Sequence, residues 1–66
     1  MDERKKLSVM IEHWIEHNDE HMEEYKKWAN KAEELGLKSV RKEIEEAIGS
    51  LSQSNRHLKR ALKEAA

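Results

Sequence analysis

The chain has no cysteine and no proline among its 66 residues, and only two glycines. Without cysteine there is neither a disulfide framework nor a thiolate metal site. Without proline, little interrupts a helix. Aromatic residues are scarce: two Trp, one Tyr and no Phe. No apolar run exceeds three residues, which excludes a membrane-spanning helix. The opening Met1-Asp2-Glu3-Arg4-Lys5-Lys6 leads into no apolar stretch, so no signal peptide and a cytoplasmic location are expected. Neither charge dominates, with 14 acidic and 13 basic side chains and a net charge of −1. A dedicated nucleic-acid partner is therefore not expected. The length allows one small domain, spanning 1–66.

What is present is helix-forming. Good helix formers fill Glu3 to Leu35 and again about Lys38 to Ala65. Between them stands Gly36, placed to take the left-handed conformation that ends a helix, with Leu37 as the apolar contact beside it. The reading is one helix over about 3–35, a turn at 36–37 and a second helix over about 38–64. In the first, Leu7, Ile11, Trp14, Asn18, His21, Tyr25, Trp28, Ala32 and Leu35 recur at steps of four and three. In the second, Leu37, Val40, Ile44, Ile48, Leu51, Asn55, Leu58, Leu62 and Ala65 do nearly the same. Such seams belong to coiled coils and bundles, and a short connection makes the helices antiparallel neighbours. The fold class is all-α, an antiparallel two-helix hairpin.

This geometry sets a register. Asn18 falls level with Asn55, and His21 with Leu51 and Ser52, so both seams turn polar at one height. From Glu12 to Glu24 there are six acids and no Lys or Arg; from Asn55 to Lys63 there are four bases and no acid. An antiparallel fold lays these stretches side by side. The run Gly49-Ser50-Leu51-Ser52-Gln53-Ser54-Asn55 is poor in helix propensity, yet the apolar spacing continues through it.

Two helices share a single contact line, and chains this small seldom stabilise themselves without a metal, a disulfide or a partner. Both stripes are wider than one contact needs, since Met10, Ile15, Met22 and Ala29 flank the first and Ala47 and Ala61 the second. A homodimer forming a four-helix bundle is the simplest expectation; docking onto another protein domain is the other.

Three of four histidines, His13, His17 and His21, lie along one helical ridge, each followed three residues later by a glutamate. Imidazoles one turn apart can chelate a divalent ion. His17, His21 and Glu24 form the best local set, with His13 assisting; nickel, zinc, cobalt and copper all accept such ligands, with nickel or zinc as the candidate ion. Alternatively, His21 and Asn18 hydrogen-bond across the core with Asn55 and Ser52 and only set the register. A third possibility is a pH sensor, because imidazole titrates in the physiological range. Catalysis fits poorly. His17-Asn18-Asp19-Glu20-His21 matches H-x-x-E-H, but that chemistry needs a further ligand and a cleft, so no enzyme is expected. His57 lies off the apolar stripe, while Trp14, Tyr25 and Trp28 read as core.

The run His13-Trp14-Ile15-Glu16-His17-Asn18-Asp19-Glu20-His21, with Tyr25-Lys26-Lys27-Trp28-Ala29 and Glu34-Leu35-Gly36-Leu37, resembles a family of short uncharacterised prokaryotic helical-hairpin domains with an H-W-I-E-H-N-x-E-H helix. Some of these are appended to small nickel-binding accessory proteins of the carbon monoxide dehydrogenase (CooT-like) type. The resemblance implies a metal-related accessory role carried by His13, His17 and His21. The expectation is thus a non-catalytic accessory module binding a transition metal through its histidine face; the alternative is an oligomerisation hairpin whose His/Asn layer sets register.

Overall fold

Asp2 caps the first helix. Its backbone is extended, and its carboxylate accepts a hydrogen bond from the Arg4 N–H at 3.1 Å, satisfying one of the donors a helix start leaves free. From there the computed structural model, which describes residues 2–65, runs through two helices, α1 (Glu3–Glu34) and α2 (Lys38–Ala65). The first and last positions of the expected 1–66 domain lie outside the described residues.

The stop of α1 follows from backbone chemistry. Gly36 adopts φ 74°, a conformation that costs other L-residues about 1–2 kcal/mol and glycine very little. This lets the Leu37 N–H donate to the Ala32 carbonyl at 2.9 Å and the Gly36 N–H to the Glu33 carbonyl at 3.0 Å. These are the paired bonds of a Schellman stop. The Arg41 N–H already donates to the Leu37 carbonyl at 3.0 Å, so α2 starts at once and runs back antiparallel along α1. The glycine- and serine-rich middle of α2 stays helical, with Ser50 Oγ donating to the Glu46 carbonyl one turn earlier at 3.2 Å.

The helices meet along a heptad seam. On α2 the partly or fully covered residues include Ile44, Ile48, Leu51, Asn55, Leu58, Leu62 and Ala65, as the spacing predicts, although Leu37 and Val40 at its start are exposed. On α1 the seam is turned from its expected position. Ile11, Asn18, Tyr25 and Ala32 face inward, but the set between them is Ser8, Ile15, Met22 and Ala29. Leu7, Trp14, His21, Trp28 and Leu35 are exposed instead. At about 100° per residue, His21 sits roughly 80° round the helix from the middle of the seam. Close approach explains the choice. A three-residue connection, Leu35–Leu37, holds the helices together at that end, where Ala29 and Ala32 are buried and an indole would wedge them apart.

The buried set is small: Ile11, Ala29, Ala32 and Asn55, with no large side chain fully enclosed among the described residues. Arg41 at the start of α2 lies 3.0 Å from Glu33 of α1 and 3.8 Å from Glu45. Among the described residues no ion pair joins the acidic Glu12–Glu24 stretch to the basic Arg56–Lys63 stretch. Exposed pairs contribute only about 0–1 kcal/mol, so their absence costs little. No helix among the described residues is long and apolar enough to cross a membrane.

Candidate functional site

The polar layer stands where the register placed it. Asn55, 4% exposed, accepts a hydrogen bond on Oδ1 from Asn18 Nδ2 at 2.9 Å. Its own Nδ2 donates to Asp19 Oδ1 at 3.0 Å and to the Ile15 carbonyl at 3.3 Å. A buried carboxamide left without partners would cost about 1–3 kcal/mol; here its oxygen and both amide hydrogens are engaged. The layer fixes residue 18 abreast of residue 55, because sliding α2 by one turn moves Asn55 away from Asn18 and Asp19 to the level of Ile11 and Ile15 or of Met22 and Tyr25. Asp19 is a member that the spacing did not single out. It lies one position beyond the seam, on the rim from which a carboxylate can reach inward.

Histidine takes no part in this layer. His13, His17 and His21 are all exposed, as are Glu24 and His57. The expected hydrogen bonding of His21 across the core is therefore corrected: with the seam turned toward Ile15 and Met22, position 21 falls outside it. His21 instead leans its ring on Tyr25, centroid to centroid 6.2 Å and tilted 33°. His17 and His21 stand one turn apart on one ridge, the spacing that allows two imidazoles to reach one ion. Among the described residues no group of three or more His, Asp or Glu side chains is arranged to hold a metal. Within one chain the ridge thus offers at most a two-imidazole chelate.

The turned seam has a second effect. It moves the bulkiest apolar side chains of α1 onto one broad face of the hairpin. Leu7, Met10, Trp14, Trp28 and Leu35 are all about half exposed or more there. Alongside runs an open groove of about 440 Å³ lined by Tyr25 of α1 and Ser39, Val40, Glu43, Ile44 and Ala47 of α2. The opposite face carries Glu12, Asp19, Glu23, Arg41, Glu45 and Lys59. The molecule is two-faced, with the histidine ridge bordering the apolar side.

No curated protein and no solved structure matches this chain. A family does, over residues 7–65: all of α2, all but the first four residues of α1, the turn, the Asn18–Asn55 layer and the exposed apolar face fall inside that span, and the chain belongs to the family described as a domain of unknown function, DUF8180.

Proposed function

We propose that this hairpin is a non-catalytic self-association module, two copies of which stack their apolar faces into a four-helix bundle. The observation that carries the reading is the exposed face of Leu7, Met10, Trp14, Trp28 and Leu35. Trp14 and Trp28, 44% and 57% exposed, together leave about one whole indole side chain in water, roughly 200 Å². Burying it is worth about 5 kcal/mol per protomer at about 25 cal/mol per Å², comparable to all that a core of this size supplies. The occupant fits by area. The broad face measures 51 by 16 Å between Cα extremes, a footprint of about 800 Å², which is what each partner contributes to a standard stable interface.

Metal binding is a second reading, favoured by the placement of His17 and His21 one turn apart in solvent, with Glu24 and His13 nearby and zinc or nickel as candidate ions. The resemblance to domains appended to nickel-binding accessory proteins supports the same role. Sedimentation over a hundredfold concentration range tests the association. A dimer is expected, and Trp14→Glu with Trp28→Glu is expected to give a monomer of unchanged helicity. A wild-type chain that sediments as a monomer throughout overturns the proposal.

A further inference from the structure

The exposed apolar residues of α1 are ordered. Leu7, Trp14, His21, Trp28 and Leu35 stand seven residues apart, nearly two full turns, so they share a face with about 20° of drift per step. The series reads Leu-Trp-His-Trp-Leu from either end, with His21 at its centre. A two-fold interface requires a surface that complements itself, in which each contact occurs twice. This stripe meets that requirement when two α1 helices run antiparallel with the axis at residue 21. Leu7 then meets the partner's Leu35, Trp14 meets the partner's Trp28, and His21 meets the partner's His21. The acidic residues of α1 and the basic residues of α2 mostly stand away from this face, so charge neither drives nor blocks the pairing.

That register places the histidine ridge against a carboxylate. The partner's Glu24 falls level with residue 18, between His17 and His21. His17 and Glu24 lie on the same side of the stripe, about 40° and 60° from its middle at about 100° per residue. A two-fold axis perpendicular to the paired helices keeps that side common to both copies. We propose that the dimer pairs α1 with α1 about His21 and so completes two equivalent sites for a divalent transition-metal ion, each formed by His17 and His21 of one protomer and Glu24 of the other. Two imidazole nitrogens, one carboxylate oxygen and a water make a four-coordinate set suited to zinc, and nickel accepts the same donors. The arrangement accounts for a ridge that lacks a third ligand within its own chain. It rests on the self-association proposed above.

The experiment uses the full chain. Because the protein has no cysteine, His21→Cys introduces a single thiol. It is expected to oxidise to a covalent dimer, since a disulfide requires Cα atoms within about 7 Å, whereas Glu16→Cys on the far side is not. Stacking α1 on the partner's α2 sets the two positions 21 diagonally across the bundle and gives no cross-link. Calorimetry with Zn²⁺ is expected to show one ion per protomer, weakened about tenfold or more by Glu24→Ala and abolished by His17→Ala with His21→Ala. Mixing these two defective variants is the decisive step, because each mixed dimer holds one intact site, and binding is expected to return. If the wild type is a dimer but position 21 does not cross-link and mixing restores nothing, this inference falls while the self-association reading stands. A wild type that is monomeric with and without Zn²⁺ removes both.

Discussion

Truncating Asn55 to alanine removes three hydrogen bonds at once: those with Asn18 at 2.9 Å, with Asp19 at 3.0 Å and with the Ile15 carbonyl at 3.3 Å. Each is worth about 0.5–1.5 kcal/mol net. The lower half of that range applies, because Asp19 is exposed and Asn18 only half-buried, so both regain water. The Ile15 carbonyl keeps its helical partner. The expected loss is about 2 kcal/mol, or about 8–16 °C in melting temperature for a domain of this size. Melting should be followed by circular dichroism at one fixed protein concentration, since self-association raises apparent stability by mass action. Combining Asn55→Ala with Asn18→Ala should cost less than the two changes separately, with a coupling of about 1 kcal/mol. A loss under about 0.5 kcal/mol, or separate effects that simply add, would refute the view that the carboxamide layer ties the helices together. Leucine at both positions should behave differently, keeping or raising stability while loosening the register.

Gly36→Ala places a methyl group in open space but on a backbone at φ 74°, so it should lower stability by about 1–2 kcal/mol in the same melting assay. Gly49→Ala is the opposite case. It lies mid-helix with nothing within 4 Å of an added Cβ, and should raise the melting temperature through about 0.8–1 kcal/mol of helix propensity. Asp2→Ala removes the cap on Arg4 and should cost about 0.5–2 kcal/mol, seen in exchange spectra as faster amide exchange confined to the first turn of α1.

The sequence resolves α2 better than α1, for a reason visible in the side chains. On α2 the apolar residues form one stripe and the charges take the rest, so only one seam is available. On α1 two stripes overlap. Ile11, Asn18, Tyr25 and Ala32 belong to both, and the choice lies between Trp14, His21 and Trp28 on one side and Ile15, Met22 and Ala29 on the other. Hydrophobic size favours the tryptophans, but the tight Gly36–Leu37 turn brings the backbones close and favours the small and flexible side chains. The signal lies in Ala29 next to the turn, the small residue that only the second of these stripes contains. The level of the polar layer was legible because asparagine appears in both seams at matching heights. The outward position of the histidines was not, because it hung on the phase of α1.

The turn and the Asn18–Asn55 clasp hold the two arms at points about 27 Å apart along α1. Thermal opening that starts from the free tips, past Ile11 and Leu62, therefore meets a latch halfway down before it can reach the bend. The half nearer the bend should breathe far less often than the tips, giving the molecule one stiff segment and one that opens and recloses without releasing the whole.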